Sequence, residues 1–269
     1  MKAKYFDAHC HVQFDQYEED RDALLGRMKE EGVSGVIVGV DLESSKKAVE
    51  LAEKHEHLFA SVGLHPNREK DEWFESAPYR FLAENPKVVA IGECGLDYFR
   101  PEILDDEIKK GQKQILQDQI ALDAELDKPL IIHSRPSKGT TDAYQDLIGI
   151  LKEAKAKHSN LRGDIHFFVG GVPEMRELVA LGFTVSFTAV ITFARDYDEV
   201  IRQTPLTSIL SETDSPYVPP TNRARGSRND PLAVVDVVSK IAAIRGEDPE
   251  MVRTAILANA ESLFGSLHP

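Results

Sequence analysis

Eight short apolar runs alternate with helix-length amphipathic stretches along almost the whole chain. The runs cover residues 5–8, 33–40, 58–64, 88–91, 129–132, 163–168, 183–187 and 208–210. Helical periodicity occupies 18–31, 44–55, 75–84, 105–126, 140–157, 173–181 and 197–204, and then 230–245 and 249–263. Strands that alternate with helices over short connections cannot pair as hairpins; they form a parallel sheet covered by the helices. Eight such strands fit a closed barrel better than an open sheet. The length, 269 residues, suits one barrel of this kind. With 42% hydrophobic residues there is enough apolar material for its core. The expectation is an α/β chain forming a single (β/α)8 barrel over residues 1–269.

The polar residues at the ends of the runs bear on function. His9 and His11 close the first strand, Glu93 the fourth and His133 the fifth; His166 lies in the sixth, and Asp214 follows the eighth. In such barrels the C-terminal strand ends, remote in sequence, meet at one face and carry the chemistry. Side chains alternate along a strand, so His9 and His11 share a side and can grip one metal ion. Asp7 has the same parity and is expected to orient a histidine from behind. Glu93 ends an apolar strand between Gly92 and Gly95, and a buried carboxylate there needs a charge partner or a metal. Alone, each feature has a bland alternative: a core histidine, a capping aspartate, a solvated loop acid. Together at successive strand ends they form a ligand set too large for one tetrahedral ion. Two divalent ions sharing a carboxylate, about 3.5–4 Å apart, fit better. Nitrogen and carboxylate donors suit Zn, Mn or similar ions, with Mg as a further option.

The formal net charge of −13 disfavours a broad nucleic-acid-binding face, so a polyanionic substrate would have to be held locally. Two cysteines, Cys10 and Cys94, make no disulfide framework and are read as small buried apolar groups in a reducing, cytoplasmic setting. The N-terminal stretch does not resemble a signal peptide, and no run is long enough to span a membrane. A monomer or weak homo-oligomer is expected.

The stretches FDAHCH, GLHP, IGECGLDY, IIHSR, the histidine of IHFF and SETDSP, in this order from Phe6 to Pro216, resemble the TatD-type deoxyribonuclease family of metal-dependent hydrolases. The resemblance implies a (β/α) barrel, a divalent metal pair and hydrolysis of phosphodiester bonds in DNA. Position by position, it implies His9, His11, Glu93 and Asp214 around one ion. It implies Glu93, His133 and His166 around the other, with Glu93 bridging. The chain departs from the family at His166-Phe167-Phe168-Val169-Gly170, where members more often carry a His-Cys-Phe-Ser-Gly pattern.

On this reading a metal-activated water attacks the phosphorus, with Asp214 as general base and Glu93 as bridge. Glu212 is expected to orient the site or the Asp214 loop, the alternative being a surface carboxylate. His65 and Arg135 are candidates for phosphate contact, against a structural role and an ion pair respectively. The segment 222–228 carries Arg223, Arg225 and Arg228 in an otherwise acidic chain, and is expected as a mobile loop whose arginines reach substrate phosphates. The competing readings are hydrolysis of a lactone, an amide or a small phosphoester, and a non-catalytic barrel.

Overall fold

In the computed structural model, which describes residues 3–67, 73–100, 104–224 and 226–265, eight parallel strands stand in the order β1 to β8. They are β1 (Tyr5–Cys10), β2 (Val33–Val38), β3 (Leu58–Val62), β4 (Val88–Asp97), β5 (Leu130–Arg135), β6 (Gly163–Ile165), β7 (Thr184–Phe187) and β8 (Ile209–Ser211). The ring is nearly closed. The Asp214 amide donates to His9 O at 2.9 Å and the His11 amide to Ser215 O at 2.8 Å, so the segment after β8 pairs with β1. The helices between the strands are α1 (Arg21–Glu31), α2 (Leu42–Lys54), α3 (Ser76–Ala83), α4 (Asp106–Leu126), α5 (Asp142–Lys157), α6 (Val172–Ala180) and α7 (Asp198–Gln203). After β8 follow α8 (Val234–Arg245) and α9 (Pro249–Phe264).

Local sequence accounts for several boundaries. The Asp41 carboxylate accepts the Ser44 amide at 2.7 Å and the Ser44 hydroxyl accepts the Asp41 amide, a reciprocal cap that opens α2. Asp105 caps α4 and Asp248 caps α9 one way, each carboxylate accepting a first-turn amide, and Pro249 fills the first turn of α9, where its missing N–H costs nothing. Among the described residues no helix is long and apolar enough to cross a membrane.

Two apolar clusters hold the layers together. The larger lies between strands and helices. In the smaller, Phe6, Val36, Phe59, Ala90, Ile131 and Leu210 from six strands converge on the inner face of the barrel. Leu257, Leu263 and Phe264 of α9 join that cluster, with the Phe264 ring 5.8 Å from Phe6. Apolar residues thus fill part of the interior, and the polar residues gather beyond it at the C-terminal strand ends.

Two strands differ from the sequence expectation. β4 runs on to Asp97 instead of closing at Glu93. β6 stops at Ile165, because Phe167 takes φ 45°, a left-handed conformation that no strand continues through. Cys10 and Cys94 are free and buried, their thiols directed at the carbonyls of Val36 and Ile131.

Candidate metal centre

His9 near the end of β1 and His11 just beyond it bring their Nε2 atoms 3.1 Å apart. His11 Nδ1 lies 2.8 Å from Val38 O. A carbonyl only accepts, so Nδ1 carries the proton and Nε2 is left with its lone pair facing the centre. The His11 ring also stacks on Phe14, with centroids 4.6 Å apart and planes 2° from parallel. His9 is fully buried and stacks on His166 at 3.9 Å.

Glu93 reaches this pair because β4 can approach its neighbour closely. A side chain at Gly92 (φ 144°) would run into Ile131 O, and one at Gly95 (φ 140°) into His133 O. Glycine on either side lets the backbone of β4 press against β5. The Glu93 carboxylate, 3% exposed, then divides its two oxygens. Oε2 stands 3.5 Å from His9 Nε2 and 3.9 Å from His11 Nε2. Oε1 stands 2.9 Å from His166 Nε2, 3.2 Å from His133 Nδ1 and 3.3 Å from His65 Nε2.

His133, His166 and His9 are each backed by a carboxylate. His133 turns Nε2 to Asp97 Oδ2 at 3.2 Å, which leaves Nδ1 for the centre. His166 Nδ1 is 3.6 Å from Glu212 Oε2, and His9 Nδ1 is 4.0 Å from the same oxygen. Glu212 is therefore wholly buried, not a surface acid. Its other oxygen accepts the Phe167 amide at 2.6 Å and so ties down the left-handed residue beside His166. Such carboxylate–histidine pairs fix ring orientation and raise ligand basicity in metal sites.

Asp214 completes the group. Its Oδ1 lies 3.5 Å from His11 Nε2 and 3.8 Å from His9 Nε2, and its φ of 47° is a second left-handed position next to the site. Sparsely populated backbone conformations of this kind collect where geometry is imposed by the surroundings.

The donor set fits divalent ions. Atoms held about 2.0–2.2 Å from a tetrahedral ion lie about 3.3–3.6 Å apart, close to most of the separations above. Donor groups His9–His11–Glu93, His9–His166–Asp214 and Glu93–His133–His166 each bring their ligand atoms within 4.8 Å of one another, close enough to share one ion. Burial by itself would raise the Glu93 carboxyl, but the neighbouring His65, His166 and His9 outweigh it and hold it well below the usual range. Burial opposes charge on Asp214 as well, and the neighbouring His11, His9 and His166 overcome it. Both carboxylates are anionic and available to a cation. Burial also disfavours charged His133 and His166, yet their carboxylate partners raise both. A bound cation would displace those protons, since imidazole ligates through an unprotonated nitrogen.

Above the donors opens a cleft of about 600 Å³. His65 lines it, and its Nδ1 accepts the Asn67 amide at 3.0 Å, so the Nε2 proton faces Glu93 and the cleft. Arg135 also lines it, with its guanidinium 4.0 Å above the Phe99 ring.

Other expectations need correction. Asp7 does not back an imidazole: the register of β1 shifts between Asp7 and Cys10, so strict alternation fails there. Its carboxylate accepts the Thr213 amide at 2.8 Å and the Thr213 hydroxyl at 2.6 Å, and thereby anchors the Asp214 loop. Arg223 forms a two-point ion pair with Asp230 at 2.9 Å and Arg228 a similar pair with Asp20, so neither guanidinium is presented to the cleft. Arg225 lies outside the described residues. The second arginine of the cleft is Arg100, which the sequence reading passed over, as it did the role of Asp97. Asp97 had a usable signal: it shares the parity of Glu93, had the strand been extended four residues.

The family model for TatD-related DNases matches residues 6–265. A Bacillus subtilis protein named uncharacterized metal-dependent hydrolase YabD is 35% identical, over 96% of this chain and 98% of its own. A 3′-5′ ssDNA/RNA exonuclease TatD of Erwinia tasmaniensis is 33% identical, over 96% and 99% respectively. Among solved structures, the TatD homologue YjjV of Escherichia coli superposes with a TM-score of 0.87 at 29% identity, covering 99% of this chain and 100% of that one.

Proposed function

Since the chain belongs to the TatD-related DNase family, we propose that it is a hydrolase that cuts phosphodiester bonds of single-stranded nucleic acid at a pair of divalent ions. The observation that carries the reading is the division of Glu93, with one oxygen toward His9 and His11 and the other toward His133 and His166. His9, His11, Asp214 and Glu93 would hold one ion; Glu93, His133 and His166 would hold the other. Donors so rich in nitrogen favour Zn or Mn over Mg. Bound there, divalent ions supply a water acidic enough to ionise near neutral pH and positive charge to offset that on the phosphoryl oxygens.

The protein's own groups do the rest. Asp214 opens to the cleft, with its side chain 12% exposed, and stays ionised. It is the group placed to take the proton of the attacking water. The Nε2 proton of His65 and the guanidinium groups of Arg100 and Arg135 are placed to hold phosphate oxygens. Two arginines at the cleft suit a phosphate better than an uncharged lactone or amide. Glu212 and Asp97 keep the imidazoles in the required tautomer and orientation. The test is hydrolysis of a chromogenic phosphodiester and of end-labelled single-stranded DNA and RNA, with Mn or Zn and with chelator. Metal-dependent turnover supports the reading, and turnover of lactones without turnover of phosphodiesters contradicts it.

A further inference from the structure

Among the described residues the cleft holds few cations for a nucleic-acid site. Its described lining includes Arg100 and Arg135, set against the carboxylates of Asp41, Glu93 and Asp214, in a chain of net charge −13. Phosphate contacts alone give such a surface little hold on a polyanion. Rings are plentiful, however. Phe14, Phe167, Tyr197 and Tyr217 line the cleft. Tyr217 is 46% exposed, and Phe99, beneath Arg135, is 48% exposed.

A scissile phosphate has to descend to Glu93, which is 3% exposed. The bases flanking that phosphate must then leave their stack, and replacement π-faces at the cleft would offset the loss. Tyr217 follows Asp214 by three residues, its amide donates to Asp214 O at 3.0 Å, and its ring centroid lies 6.4 Å from that of His11, beside the candidate metal centre. The Arg135 guanidinium lies over the Phe99 ring, 4.0 Å from its centroid, and Arg135 lines the cleft. Guanidinium planes and aromatic rings are both surfaces on which unpaired bases stack.

We propose that Tyr217 and the Arg135–Phe99 stack are base-stacking positions that set the preference of this site for unpaired strands. The inference rests on the nuclease reading above and adds to it the residues that recognise bases.

The experiment measures binding of a hydrolysis-resistant phosphorothioate oligothymidylate and of its abasic counterpart to the metal-loaded protein by fluorescence anisotropy. Wild type should prefer the base-bearing strand by about 5- to 150-fold per stacked base. Tyr217→Ala and Phe99→Ala should each bring that ratio toward 1, while Tyr217→Phe, which keeps the ring, should preserve it. A wild-type ratio near 1, an unchanged ratio in both alanine variants, or a Tyr217→Phe loss equal to that of Tyr217→Ala would overturn the proposal. Hydrolysis of ordinary oligothymidylate is followed in parallel. Hydrolysis without base preference refutes the stacking proposal alone, whereas base preference without hydrolysis refutes the nuclease reading.

Discussion

Asp97 Oδ2 stands 3.2 Å from His133 Nε2, and its other oxygen accepts the amides of Phe99 and Arg100 at 3.0 and 2.9 Å. One buried carboxylate thus fixes a candidate metal ligand and the start of the segment that carries a cleft arginine.

Removing it should weaken the centre without dismantling it. Asp97→Ala frees the His133 ring and is expected to lower metal affinity about 10- to 100-fold, the usual cost of losing such a partner. Competition with a chromophoric chelator measures this. Affinity equal to wild type would show that the contact does not tune the site.

Glu212 offers a second test, with a stability component. In Glu212→Ala the Phe167 amide loses its acceptor at a residue already held at φ 45°, and the His9 and His166 rings lose their backing. A buried amide left unpaired costs about 1–3 kcal/mol. The metal-free variant is expected to melt several degrees below wild type and to bind metal more weakly. A variant that melts like wild type would contradict the anchoring role.

Asp214→Asn keeps the shape of the side chain but cannot accept a proton. Turnover is expected to fall by about 10²–10⁴-fold, with the circular dichroism spectrum unchanged. An active Asp214→Asn protein with full metal content would remove the proton-acceptor role.

Asp123, far from the cleft chemistry, should make stability depend on pH. It is 2% exposed on α4 with Oδ1 unpartnered, and burial pushes its carboxyl up to about 8. Between about pH 4 and pH 8 the unfolded chain has released this proton and the folded chain retains it, so stability falls as pH rises. The slope is at most about 1.4 kcal/mol per pH unit. Asp123→Asn should therefore be more stable than wild type at pH 8, with the advantage vanishing toward pH 4. Parallel melting curves at both pH values would contradict it.

How much of this was legible in the sequence follows from the range of each interaction. The apolar runs reveal the strands because a strand buried on both faces needs little but hydrophobicity. The sequence pattern lost β4 beyond Glu93 because the apolar run that marks a strand has ended there and the residue of matching parity, Asp97, is polar. Ligand candidates at strand ends could be named because barrel topology brings those ends together. Their partners could not be read locally: Glu212 is 45 residues from Phe167, and Asp20 is 208 residues from Arg228. The arginines of segment 222–228 suggested phosphate binding by composition. Only the folded chain puts Arg223 on Asp230 and Arg228 on Asp20.

The central claim is that Glu93 joins two ions, and metal content measures it most directly. Elemental analysis after equilibration with Zn or Mn and removal of free metal should find two ions per wild-type chain. The Glu93→Ala variant should lose metal at both positions, since it removes a donor from each. A wild-type chain that saturates at one ion, or a Glu93→Ala chain that still holds two, would contradict the account.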